Sequence, residues 1–168
     1  MAREAAAAYH DGMISFRITG LRAEPFIPLF GRSDRDLAAL GAKRYIVDRH
    51  PGFPDRISMR DLQIGERAIL VNYEHQSAST PYRSTHAIFV GEGVTQTYNR
   101  VGEIPEVVRT RLLSLRAFDC NNMMVDADVR DGEQIESLIE RLFANPETAY
   151  IHIHNAKPGC YSGRIDRA

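Results

Sequence analysis

A single α+β domain built on a mainly antiparallel β-sheet is the fold class that the sequence predicts. Three observations carry that expectation. Short runs with the period-two alternation of half-buried strands recur along the chain, and helices are few and scattered among them. The 168 residues suit one packed core, with 43% hydrophobic and 26% charged residues, which excludes disordered and fibrous classes. No repeat and no internal boundary divides the chain.

Residues 1–12 are alanine-rich and lack the basic start and apolar centre of a signal peptide, so they read as a flexible extension. The domain then occupies residues 13–168. Ile14, Phe16 and Ile18 alternate with polar residues and predict a first strand that Gly20 ends. Ser33 opens a short helix as its cap, with Asp36 three residues on and Gly41 at the stop. Residues 42–48 read as a strand, and 50–54 as a rigid turn in which Pro51 and Pro54 bracket Gly52. Residues 57–59 predict a short strand, and residues 67–75 a strong one. Its return is residues 86–90, and a weak strand covers 95–98. Pro105 suits the first turn of another short helix. Residues 112–118 and 123–129 form a hairpin about 119–122. The longest helix runs over about 131–144, capped by Asp131, with Ile135, Leu138, Ile139, Leu142 and Phe143 as one apolar stripe. Residues 150–154 are the last strand expected.

Charge narrows the partners. Basic and acidic residues number 21 and 22, so the basic surplus that nucleic acids or anionic membranes require is absent. No apolar run reaches the roughly 18 residues of a membrane span. The two cysteines, Cys120 and Cys160, suit a reducing cytosol rather than a disulfide framework. No phosphate loop, dinucleotide fingerprint, nucleophile elbow or metalloprotease helix is present, and no cofactor is expected.

Chemistry concentrates in two segments. In the last strand Tyr150, His152 and His154 share one face, and Ile151 and Ile153 the other. If this strand were the parallel neighbour of 123–129, the connecting helix would cover one face and leave Asp126, Asp128, His152 and His154 on the other. Such a set could hold a divalent metal or act as acid–base partners; a solvated polar face explains the same residues. The middle segment carries His75, Tyr82, Arg83 and His86, with Arg56 after the rigid turn. Here a forked arginine contact to a phosphate or carboxylate and proton transfer by histidine compete with a purely structural loop clamp. Cys160, followed by Tyr161 and preceded by Asn155 and Lys157, is a candidate nucleophile if a base or cation lies near, and otherwise a small buried apolar group.

Several blocks in one order add a family likeness. ISFRITGL (14–21), PGFPDRISM (51–59), NYEHQSASTPYRSTHAIFV (72–90), LLSLRAFDCNNMMVDADV (112–129) and YIHIHNAKPGCYSGRIDRA (150–168) resemble the bacterial domain of unknown function 1203 family (DUF1203). The resemblance implies a bacterial, cytoplasmic, stand-alone domain and transfers no catalytic residue. The family pattern often has cysteine where this chain has Asp55, so a thiol mechanism at that position is absent here.

The leading functional expectation is a domain that binds a small polar or anionic molecule, with enzymatic activity left open. Arg56, Tyr82, Arg83, Asn155 and Tyr161 would bind the ligand, and His75, His86, His152, His154 and Cys160 would supply its chemistry. A non-catalytic interaction module or homodimer is one alternative. A metal-dependent hydrolase using His152 and His154 with Asp126 and Asp128 is another.

Overall fold

Six strands, each antiparallel to its neighbours, form the larger sheet of this computed structural model, which describes residues 9–10 and 12–168. Tyr9–His10 (β1) pairs with Met13–Ile14 (β2). The rest of the expected 1–12 extension, apart from Gly12, lies outside the described residues. Across the larger sheet the order is Asn99–Val101 (β7), Phe16–Thr19 (β3), Tyr161–Arg167 (β11), Tyr150–Asn155 (β10), Leu112–Phe118 (β8) and Met124–Asp131 (β9). The smaller sheet is Lys43–Ile46 (β4), Arg67–Gln76 (β5) and Ser84–Gly91 (β6).

The helices are Asp34–Ala39 (α1), Glu106–Arg109 (α2) and Ile135–Ala144 (α3). Ser33 caps α1 as its sequence predicts, accepting from the Asp36 amide at 3.1 Å, and Gly41 follows with φ of 71°. The stripe Ile135, Leu138, Ile139, Leu142 and Phe143 is wholly buried against Leu113, Leu115, Ile151, Ile153 and Ile165. Each such side chain contributes roughly 1.5–3 kcal/mol of burial. Every residue of β10 is buried, since α3 covers its isoleucine face while the histidine face meets β5 of the smaller sheet. The chain is thus layered as helix, six-stranded sheet and three-stranded sheet. The second core, with Phe26, Leu37, Ile57, Ile69, Ile88 and Tyr161, packs around the smaller sheet.

Four local expectations are corrected. Residues 57–59 form no strand but follow a turn over 56–58, because the buried Asp55 carboxylate accepts from the amides of Ile57, Ser58 and Gly91 and holds the backbone off a strand path. Residues 95–98 are irregular, and pairing with β3 begins at Asn99. Asp131 makes no side-chain cap; a 3₁₀ turn, Gly132–Gln134, leads into α3 instead. Tyr161–Arg167 is a strand that period-two reading misses, because its own alternation is interrupted by Gly163 and charged residues although it lies in mid-sheet. The condition that β9 and β10 be parallel neighbours is not met, since β8 lies between them and pairs antiparallel with both.

Candidate functional site

The strand order decides which residues can act together. Register places Asp126 opposite Ala117 and Asp128 opposite Leu115, on the face that α3 covers. There both carboxylates pair with Arg141 of α3, at 2.8 and 3.0 Å. His152 and His154 sit opposite Arg116 and Ser114 on the other face. The metal set of two histidines and two aspartates is therefore split across the sheet. Among the described residues no group of three or more His, Cys, Asp or Glu side chains is arranged to hold a metal ion.

What the fold does bring together is the 75–86 segment and the 152–161 segment. The His75 ring lies 4.9 Å from that of His154 and 6.3 Å from that of His152, centroid to centroid. Tyr161 stacks on His75 at 5.3 Å with planes 12° apart. His154 Nδ1 donates to the Gly159 carbonyl at 2.9 Å, which leaves its Nε2 unprotonated in the neutral ring. His75 Nε2 meets Ser84 Oγ at 2.9 Å, and the buried Nδ1 of His152 has no hydrogen-bond partner among the described residues. Burial lowers the pKa of all three rings, and those of His152 and His154 are pushed down to about 3, helped by neighbouring histidines and Arg116. At neutral pH this is a cluster of uncharged imidazoles. It lines a cavity of about 250 Å³ together with Tyr82, Arg83 and Arg116. Arg83 is engaged by Glu74 at 2.5 Å, and its side chain is 60% exposed.

A second, larger cavity of about 710 Å³ has a wall that includes Arg56, His86, Arg111, Asn155, Lys157 and Cys160. Arg56 is 1% exposed. Its Nε donates to the Tyr161 carbonyl at 2.8 Å, Nη1 to the Pro54 carbonyl at 2.7 Å, and Nη2 to Cys160 Sγ at 3.0 Å. Three of the five guanidinium N–H donors are thereby placed. Among the described residues no carboxylate oxygen hydrogen-bonds to it, and burial lowers its pKa. Arg111, by contrast, is neutralised by the fully buried Asp61 through contacts of 2.6 and 2.9 Å. Asn155 Nδ2 donates to Cys160 Sγ at 3.4 Å, and its buried Oδ1 has no partner among the described residues. His86 Nδ1 donates to the Ala87 carbonyl at 2.9 Å, so its Nε2 carries the lone pair.

The residues singled out in the sequence thus divide. His75, His152, His154, Tyr82 and Arg83 line the smaller cavity, and Arg56, His86, Asn155 and Cys160 the larger. Tyr161 joins the two, its ring on His75 and its carbonyl on Arg56. Sequence reading missed Arg111 and Arg116. The second was within reach, because Ser114 and Arg116 alternate with Leu113, Leu115 and Ala117 and so belong to the polar face of β8.

No curated protein and no solved structure matches the chain. A family model does, over residues 52–167, which takes in both cavities' histidines, Arg56 and Cys160 but not the first strands. The chain belongs to the DUF1203 family, proteins of unknown function.

Proposed function

We propose that the chain binds a small anionic molecule in the larger cavity, with Arg56 as its fixed positive charge. The observation that carries this reading is the guanidinium itself. A cation that is 1% exposed, with no carboxylate hydrogen-bonded to it among the described residues, borders a cavity of about 710 Å³. Burying a guanidinium whose hydrogen bonds go to two carbonyls and a thiol is expensive even with the Asp55 carboxylate nearby, and an anion in the cavity would lower that cost. The volume falls in the range of small-molecule sites. Lys157 at the rim adds charge, while exposed Asp131, also in the wall, opposes it and disfavours large polyanions. His86 and Asn155 supply a lone pair and an amide for orientation. The family resemblance supports a bacterial source, and two unbridged cysteines fit a cytoplasmic location.

Thermal unfolding in the presence of phosphate, acetate, succinate and phosphoenolpyruvate tests the reading. At a hundred times its dissociation constant a ligand adds about 2.7 kcal/mol, a rise of roughly 5–10 °C for a domain of this size. The shift should shrink in Lys157→Ala, an exposed position whose loss leaves the core intact. It should vanish in Arg56→Met. A flat response to every anion, or a shift that both variants keep in full, overturns the reading.

A further inference from the structure

We infer that Cys160 is a nucleophile directed at the anion's own electrophilic carbon, so that the cavity is a reaction site for a small carboxylate or phosphate carrying such a carbon. This rests on the anion reading above and adds a covalent step to it. The sulfur receives two N–H donors, the Arg56 guanidinium at 3.0 Å and the Asn155 amide at 3.4 Å. A thiol is a weak acceptor, and a cation with a second donor converging on sulfur is the surrounding in which reactive cysteines occur. Cys160 is 8% exposed as a residue, yet it belongs to the cavity wall, so a ligand in the cavity meets it while bulk contact is limited.

Asn155 gives a separate indication that a ligand belongs there. The residue is 6% exposed and lines the same cavity, and its Oδ1 has no partner among the described residues. A buried amide oxygen left unpaired is costly, and a hydrogen-bonding ligand would remove that cost. The guanidinium thus has two jobs: it holds the sulfur through Nη2 and has N–H donors left for the anion. His86 Nε2, 3.9 Å from where a side chain on Gly159 would begin, offers a lone pair beside the residue that precedes Cys160.

Iodoacetate and iodoacetamide test the inference, because they present the same carbon with and without a negative charge. In either reaction the deprotonated sulfur forms the S–C bond, the C–I bond breaks, iodide leaves with its electron pair, and the thiol proton goes to solvent. The rates are read separately at Cys160 and at exposed Cys120 by peptide mass spectrometry. The ratio of the iodoacetate rate to the iodoacetamide rate at Cys160 should be about tenfold higher in the folded protein than in the urea-unfolded chain. Cys120 should show no comparable change, and Lys157→Ala should lower the Cys160 ratio while leaving the protein folded. Cys160 that is slower than in the unfolded chain with both reagents overturns the inference, as does an unchanged ratio. If anions raise the melting temperature but Cys160 stays unreactive, the binding reading stands and the nucleophile falls. If neither effect appears, both fall.

Discussion

The His75 ring, carried by β5 of the smaller sheet, stands nearly perpendicular to the His154 ring of the larger sheet, 4.9 Å away with planes 77° apart. That contact is how two segments distant in sequence come to border adjoining cavities. It also places uncharged imidazoles where the two sheets pack, and the sheets' union is therefore sensitive to acid.

The unfolded chain takes up a proton on each histidine below about pH 6.5, whereas folded His152 and His154 resist protonation down to about pH 3. Their neutral form thus contributes stability above about pH 6.5 that is lost as the pH falls toward 3. Each ring costs about 1.4 kcal/mol per pH unit once the unfolded side chain is protonated. Melting temperature should drop by roughly 5–10 °C between pH 5.5 and 4.5. The variant His154→Gln should show a visibly shallower slope, and an identical slope would remove the histidines as its cause.

Arg111 and Asp61 should behave as a unit. Asp61 is fully buried, so Arg111→Met strands a carboxylate without its partner, at a cost of about 3–5 kcal/mol. Adding Asp61→Asn should recover a large part of that loss. Urea unfolding of the two single variants and the double measures the coupling, and additive losses would contradict it.

The fold class, the hairpin of β8 and β9 and the amphipathic α3 were legible because each is written in local periodicity. The strand order was not. A polar strand such as β11 can sit in mid-sheet when flanking strands and both layers bury it, and nothing local in residues 161–167 announces that. The split of Asp126 and Asp128 from the histidines follows from that same non-local fact, since one intervening strand puts them under α3 beside Arg141. His75, His152 and His154 were identifiable by type and spacing, yet their meeting depends on how the two sheets pack. Arg56 gave no sign that it would be buried. Its position follows from the Asp55-capped turn, where the Arg56 amide and carbonyl are fixed to Phe89 and Leu21.

Two glycines separate backbone clearance from side-chain clearance. A Cβ at Gly132 would lie 1.9 Å from the Val108 carbonyl oxygen, which α2 and the following turn hold in place. Gly132→Ala should cost more than about 3 kcal/mol or prevent folding. A Cβ at Gly163 would meet the Met59 tip at 2.6 Å, which can rotate away, and the Thr19 carbonyl oxygen at 3.2 Å, which must yield only a few tenths of an ångström. Gly163→Ala should cost about 1–2 kcal/mol. Melting temperatures in that reverse order would mean that the Gly132 turn yields more easily than its contacts imply.

Arg83 provides the sharpest separation between the two cavities. Its guanidinium is held by Glu74, it is largely exposed, and it borders only the smaller cavity. A surface pair of this kind contributes about 0–1 kcal/mol, so Arg83→Ala should move the melting temperature by no more than about 4 °C. It should leave the anion-induced rise unchanged, because the proposed anion site is built on Arg56, which lines the larger cavity where Arg83 does not. Loss of the rise in Arg83→Ala, with the protein still folded, would transfer the anion to the histidine-lined cavity, where half-buried Arg116 stands within reach of the same space.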